Sequence, residues 1–350
     1  KKIFVIGVLS LIQLFGFSQK NLTLEEAVRQ QFGKFYPDHL QDLQWLPQTT
    51  QYVYQRGDTL YKGAVDAAIQ PWLTTAQLKS AGLENVKSLP SFHWTSATQA
   101  WFEDSEAYYN FDVSANKVSK VQDVTLGVLK SKSSPANINY HPATGHLAFT
   151  LDNNVCVKTA NNTVKVITQN PAGVVSGQSI SRNEYGIAGG LFWSDNGQHI
   201  AYYEKDERLV AEYPLTNYNT VPASVNMIRY PMAGGISEKV SLWVYHVGIK
   251  GKKAKVKMQI TDINGEYNDQ FYITNVAWVP DNQHVLVAWL NRKTDWMRLQ
   301  MYDTQTGKLV KTLIEEKDNK WLEPDQAPVF VSGKPNEFIW RSYQTQSGFH

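Results

Sequence analysis

The chain has 350 residues, a formal net charge of +2 and 12% aromatic residues, among them 11 Trp and 18 Tyr. That length exceeds one ordinary domain and suits a large closed β architecture, and the aromatic richness favours strands over helices. The near-neutral balance gives no electrostatic case for nucleic acid or an anionic membrane surface, and a single cysteine, Cys156, excludes an intrachain disulfide.

In chain order, Lys1 and Lys2 precede an apolar run from Ile3 to Phe17, broken only by Ser10 and Gln13. Gly16 and Ser18 then fit the small residues at the −3 and −1 positions of a cleavage site before Gln19. This predicts a signal peptide over residues 1–18 and a periplasmic or secreted mature protein. The run is shorter than the ~20 apolar residues of a spanning helix, and no later segment is apolar enough to cross a bilayer. Residues 19–40 read as a leading segment. Within it Asn21–Phe32 has helical spacing (Leu24, Val28, Phe32), Thr23 and Glu26 at capping-box distance, and an expected end near Gly33.

Over residues 41–350 a repeat takes over: an aromatic residue, a turn, a polar pair and an apolar strand. Its copies start at Trp45, Trp94, Tyr140, Trp193, Trp278 and Phe330, which are 49, 46, 53, 85 and 52 residues apart. Propeller blades commonly run ~40–50 residues, so the reading is an all-β, incomplete β-propeller of about six four-stranded blades. Each blade must stack on its neighbours to bury both faces. The gap of 85 residues predicts an enlarged blade holding strands near Val225–Tyr230 and Val240–Val247. Outer hairpins are expected to turn at Asp303–Gly307, between Val113 and Val118, and between Thr159 and Val164. The chain stops at Gly348–His350 in mid-blade with no low-complexity linker before it, so it is expected to be part of a longer polypeptide.

Chemistry-bearing patterns are sparse. No Gly-x-Ser-x-Gly elbow occurs, and no Gly-rich dinucleotide or phosphate loop follows a strand. No His or Cys spacing suggests a metal, so no cofactor, metal or catalytic residue is assigned. His141, His146, His199 and His284 fall in hairpin turns and are expected to be solvated. Cys156, inside Val155–Val157, is expected to be buried and inert. The acidic runs Glu103–Glu106 and Glu315–Glu316 read as solvated loops. One stretch interrupts the repeat with charge and glycine: Arg182, Asn183 and Glu184, followed by Gly186, Gly189 and Gly190. Spacing alone leaves two readings of Glu184 open, a recognition carboxylate at a cavity rim or a surface salt bridge with Arg182 or Lys205.

Several ordered motifs resemble the N-terminal propeller of the dipeptidyl peptidase IV family, within the prolyl oligopeptidase group of serine exopeptidases. They are Arg182-Asn-Glu-Tyr-Gly186, Leu191–Gly197, Ile200–Tyr203, Tyr213-Pro-Leu215, Asn226–Gly234 and the Thr23–Glu26 start. The resemblance spans nearly all of residues 20–350 and follows the bacterial branch. It implies an eight-bladed propeller capping a C-terminal α/β-hydrolase domain that carries the Ser-Asp-His triad and is absent from this chain, which would be inactive alone. It implies peptide substrates with a free N-terminus, release of two or three residues after Pro or Ala, and homodimers among family members. It also places Glu184 in the acidic insertion that binds the substrate α-amine, which favours the recognition reading. Asn183 stands where better-known members have a second glutamate, so tripeptide release stays open. The stretch Trp94–Asp112 lacks the arginine that those members direct at a substrate carbonyl, leaving Arg182 or Asn183 as stand-ins. Trp321 and Glu323 are further cavity-lining candidates. The alternatives are a stand-alone periplasmic propeller of the TolB type that binds proteins and, third, a sugar-binding propeller, for which the sequence lacks aromatic-lined carboxylate pairs.

Overall fold

The computed structural model describes residues 21–37, 39–126, 131, 133–261, 263 and 270–342; the predicted signal peptide and the final residues 343–350 lie outside them. The chain divides into two compact units, residues 1–97 and 98–350.

In the first unit, helix α1 (Leu24–Arg29) starts at Thr23 with both bonds of the predicted capping box. The helix stops one turn earlier than its apolar spacing predicted. Its apolar face lies open, with Leu24 81% and Phe32 79% exposed, while Glu26 is the residue it buries. The cap explains the inversion: the Glu26 carboxylate turns back to accept the Thr23 backbone N–H at 3.0 Å. Strands β1 (Gln41–Trp45), β2 (Gln51–Arg56), β3 (Thr59–Ala64) and β4 (Gln70–Thr74) form an antiparallel meander. A second helix, α2 (Thr75–Ser80), follows β4 and was not foreseen; it is too short to show a period. The short strand β5 (His93–Trp94) carries the second aromatic lead.

The second unit is a series of antiparallel sheets. Strands β6 (Gln99–Asp104), β7 (Ala107–Asp112) and β8 (Lys117–Asp123) pair in sequence order. Strands β9 (Ala136–His141), β10 (His146–Leu151), β11 (Asn154–Lys158) and β12 (Val164–Val166) do the same. The enlarged sheet is built from β13 (Val174–Ser176), β14 (Leu191–Trp193) and β15 (His199–Asp206), continued by β18 (Lys239–His246) and β19 (Lys255–Lys257). A separate hairpin, β16 (Glu212–Asn217) and β17 (Ser224–Arg229), leaves it. Next come β20 (Tyr272–Trp278), β21 (His284–Leu290), β22 (Trp296–Asp303) and β23 (Leu309–Lys317). The hairpin β24 (Val329–Val331) and β25 (Lys334–Ile339) is the last described. Trp45, Tyr140, Trp278 and Phe330 fall on the first strand of a sheet, Trp94 on β5, and Trp193 on β14, the second strand of the enlarged sheet; the predicted turns at 113–118, 159–164 and 303–307 join the expected strands.

Successive sheets share buried side chains, as stacked blades must. Tyr108 stacks on Tyr140 at 4.5 Å between ring centres and joins the sheet of β7 to that of β9 and β10. Val157, Ile200 and Tyr245 join that sheet to the enlarged one. Tyr203, Leu242, Val287 and Trp289 join the enlarged sheet to β20–β22. Leu290 and Leu299 meet Phe330 and Phe338 of the last hairpin. Each fully buried side chain of this size contributes about 1.5–3 kcal/mol. The fold is therefore all-β, of the propeller type the repeat predicted, with two short α-helices among the described residues.

None of the four turn histidines is exposed to solvent, contrary to expectation. His141 is buried, with Nε2 against the Asp195 carbonyl at 3.1 Å, and His146 and His199 are half-buried against Trp193 and Trp278. His284 is half-buried too, with Nδ1 2.7 Å from an Asp281 carboxylate oxygen in its own turn. The blade turns pack against neighbouring sheets, which the sequence pattern does not show. Glu316 is likewise buried rather than solvated and accepts the Trp340 indole N–H at 3.0 Å. Cys156 is buried as expected, and burial pushes its thiol up to about 11.

His199 and His246 meet Nδ1 to Nδ1 at 2.8 Å. His246 Nε2 faces the Thr304 carbonyl oxygen at 3.1 Å and so must donate there. Its Nδ1 is then the acceptor and His199 Nδ1 the donor, an arrangement that holds only while His246 is neutral. Burial first, and the neighbouring His246 second, lower His199 to about 4; burial lowers His246 too. A folded-state value below the unfolded ~6.5 gives stability that is complete above ~6.5 and is lost as pH falls from there toward 4. The melting temperature is therefore expected to be level between pH 7 and 8 and to fall between pH 6.5 and 4.5. Replacing both histidines by Phe is expected to flatten part of that slope, as measured by calorimetry across pH.

Candidate functional site

The charged stretch singled out in the sequence is an excursion from one interrupted strand. β13 pairs with Glu204–Asp206 of β15 and β14 with Ile200–Tyr202 of the same strand, so the two together act as one edge strand. Residues 177–190 leave the sheet between them. Tyr203 closes both ends of the loop, accepting the Gly177 N–H at 2.8 Å and donating to the Gly190 carbonyl at 3.1 Å. The neck is narrow enough to need glycine: a Cβ on Gly190 would lie 2.2 Å from the Gln178 carbonyl oxygen.

At the loop tip the backbone turns left-handed. Ser181, Arg182 and Asn183 have φ of 50°, 55° and 64°, and Tyr185 and Gly186 follow at 56° and 71°. Left-handed backbone costs non-glycine residues roughly 1–2 kcal/mol each, so the turn persists only if its surroundings over-determine it. Several contacts do so. The Ser181 N–H donates to the buried carboxylate of Glu238 at 2.7 Å. The Arg182 guanidinium donates to the Arg229 carbonyl and stands 4.5 Å over the Tyr230 ring. Thr274 Oγ1 donates to the Tyr185 carbonyl at 2.7 Å, and the Tyr185 ring packs on Tyr272 at 4.8 Å. Gly186 lies flush against residue 325, where a Cβ would come within 2.0 Å of the Asp325 carbonyl oxygen. Asp325 is in turn tied to Arg341 at 3.1 Å.

The turn displays Glu184. The salt-bridge reading left open by the sequence does not hold: Lys205 pairs with Glu207 at 3.0 Å and Arg182 is engaged by Arg229 and Tyr230. Among the described residues the Glu184 carboxylate makes no hydrogen bond or ion pair. It lines a cavity of about 200 Å³ with Arg182, Tyr185, Tyr230, Glu238 and Arg292, backed by Val240 and Phe271. Burial raises the Tyr185 phenol above its ordinary value. The Glu184 carboxylate adds to this, Arg292 opposes it, and Glu323 adds the smallest part, so all three charges act on one ring.

Of the residues predicted for this site, Arg182 and Glu184 are on the cavity wall. Asn183 helps form the turn but does not line the cavity, and Trp321, 65% exposed, does not line it either. Tyr230, Glu238, Tyr272 and Arg292 were not foreseen. They come from strands or turns 45 or more residues away in sequence, and only the pairing of β15 with β18 and its packing on β20 and β21 brings them here.

Known proteins share this fold. Residues 92–350 match the family described as the dipeptidyl peptidase IV (DPP IV) N-terminal region, and the chain belongs to that family. It is 28% identical over 219 residues to a protein of Paracoccidioides lutzii named as a probable dipeptidyl-aminopeptidase B, a match covering 57% of this chain and 23% of that one. The crystal structure of a candidate dipeptidyl aminopeptidase IV from Bacteroides ovatus superposes with a TM-score of 0.72 at 30% identity, covering 93% of this chain and 44% of that one. Porphyromonas gingivalis dipeptidyl peptidase 4, at 18% identity and a TM-score of 0.68, shares the fold. The chain thus spans under half the length of these relatives.

The packing at the loop tip makes a direct prediction. Gly186→Ala must displace the backbone at 325 and strain a left-handed residue, so it is expected to lower stability by at least about 1 kcal/mol. Gly189→Ala, with no atom within 4 Å of its Cβ, is expected to be tolerated. Chemical denaturation of the two variants checks the contrast.

Proposed function

We propose that the chain is the N-terminal propeller portion of an exported serine exopeptidase, in which Glu184 binds the free α-amine of a peptide. The observation that carries this reading is a carboxylate held by a strained loop on a cavity wall, with no partner of its own among the described residues. An over-determined turn that ends on an unpaired charge suits a ligand of opposite charge. A peptide's ammonium terminus supplies that charge, and an internal peptide segment does not.

Anchoring the amine fixes how far the substrate can advance, so cleavage falls a set number of residues from the N-terminus. The acyl-transfer step itself belongs to a hydrolase part with a Ser-Asp-His triad, and this chain supplies no catalytic residue to it. The substrates would be peptides with Pro or Ala before the scissile bond, released as dipeptides or tripeptides. The mature enzyme would be periplasmic or secreted; among the described residues no helix is long and apolar enough to cross a membrane. The hairpin β16–β17, with Leu215, Val225 and Met227 exposed, is the surface we assign to a homodimer contact.

In the full-length enzyme Glu184→Gln removes a charge-assisted contact worth ~1.5–3 kcal/mol. KM on free-amine substrates is expected to rise and kcat/KM to fall about ten- to hundredfold. A change within twofold would contradict the assignment. N-acetylated versions of the same peptides, which lack the ammonium, should be turned over poorly by both enzymes.

A further inference from the structure

A second cavity opens between two sheets of the second unit, and it shares no lining residue with the one beside Glu184. One wall is a row on β15: Tyr202, Glu204 and Asp206 stand two residues apart, so their side chains leave the same face of the strand. Trp243 of β18 lies directly opposite Tyr202 in the sheet and continues that wall. The facing wall is the segment 168–171, which follows β12. The cavity holds about 370 Å³, inside the ~300–1,000 Å³ range of pockets that enclose small ligands.

The acceptors on these walls are held in place. The Trp243 indole N–H donates to Glu204 Oε1 at 3.1 Å, and Ser176 Oγ donates to Oε2 at 3.5 Å. Arg208 grips both oxygens of Asp206, with Nε at 2.9 Å and Nη2 at 2.6 Å. The Asn170 amide nitrogen donates to the Asn153 carbonyl at 2.8 Å and to Ser176 Oγ at 2.9 Å. Each carboxylate still has lone pairs to offer. Tyr202 is different: it is 1% exposed and lines the cavity, yet its phenol makes no hydrogen bond among the described residues. A buried hydroxyl without a partner is costly unless a ligand supplies one. Burial raises the Tyr202 phenol above its ordinary value and the Glu204 carboxylate adds to this, so an unused donor and a fixed acceptor share one corner. A hydroxyl can accept from the one and donate to the other, whereas an ammonium only donates and a carboxylate only accepts. Glu204 and Asp206 are balanced in the wall by Arg208 and Lys255, which suits a ligand without net charge. The half-buried Trp243 adds a flat apolar surface.

We infer that this cavity binds a neutral saccharide, with the Tyr202 hydroxyl donating to a sugar oxygen and the Glu204 carboxylate accepting from a sugar hydroxyl. A sugar ring carries hydroxyls on its rim and C–H groups on its faces, and so meets both the polar row and the indole. Read as a sequence the chain shows no aromatic-lined carboxylate pair; the pairing of β15 with β18 makes one, by setting Trp243 beside Tyr202, Glu204 and Asp206. The site stands independently of the amine-binding reading of Glu184.

The test is titration calorimetry of the full-length enzyme with four neutral disaccharides: maltose, cellobiose, lactose and N,N′-diacetylchitobiose. Saturable binding of at least one is expected. Tyr202→Phe deletes one oxygen that has no protein partner, so its melting temperature should match the parent's while its affinity for that sugar falls about fivefold or more. Glu204→Gln removes the charge and keeps an acceptor for the Trp243 indole, and it is expected to weaken the sugar about tenfold or more. Neither change should move kcat/KM on a free-amine peptide by more than about twofold, because the two cavities are separate. No saturable binding of any of the four sugars would overturn the inference. So would sugar binding that both variants keep within twofold, which places the sugar elsewhere. Binding of the zwitterion Gly-Gly, lost in both variants while the sugars stay silent, would overturn it as well. Should Glu204→Gln fail to fold, Tyr202→Phe carries the comparison alone.

Discussion

The amine-binding role proposed for this chain depends on a turn that the backbone does not adopt willingly. Three successive non-glycine residues, Ser181 to Asn183, sit in the left-handed region, at a cost of several kcal/mol in all. That cost is offset by contacts from distant parts of the second unit: the buried Glu238 carboxylate on the Ser181 N–H, Tyr230 under Arg182, Thr274 on the Tyr185 carbonyl, and the 325 segment against Gly186. A turn held by four separate segments presents its tip with little freedom, and pre-organisation of this kind is what a binding group needs. The carboxylate at that tip is left without a partner among the described residues while its neighbours are spent on holding the loop.

The same economy runs through the sheets. A blade-type strand has no reason to break unless something is gained at the break. Here β13 and β14 share one partner strand, and the residues between them leave at Gly177 and return at Gly190, with Tyr203 bonding both ends. The excursion therefore leaves the pairing of β15 with β18 continuous from His199 to Asp206. The buried layer of Tyr203, Leu242, Val287 and Trp289 beneath it is undisturbed. The buried core and the excursion meet at a single residue.

Much of this was legible in the sequence because it is local. Trp45, Trp94, Tyr140, Trp193, Trp278 and Phe330 each mark a strand by composition and turn chemistry alone, and the 85-residue gap announced the extra strands. Glu184 stood out because charge beside glycine has no place in a core. What was not legible depends on tertiary contact. The helix α2 is too short for a period to show, and α1 gave up its predicted apolar face to a carboxylate that serves its own cap. The turn histidines looked solvated because a turn seen alone is at the surface, whereas here neighbouring sheets cover them. Arg292 and Tyr272 carried no signal: an arginine after an apolar strand is ordinary until the fold brings it to the cavity that Glu184 lines.

The central claim is that the Glu184 carboxylate receives a peptide ammonium group. A crystal structure of the full-length enzyme with a slowly cleaved free-amine peptide tests it most directly. The account predicts the α-nitrogen about 2.7–2.9 Å from a Glu184 carboxylate oxygen, with the left-handed turn unchanged. A peptide bound with its amine elsewhere, and water alone on Glu184, would contradict it.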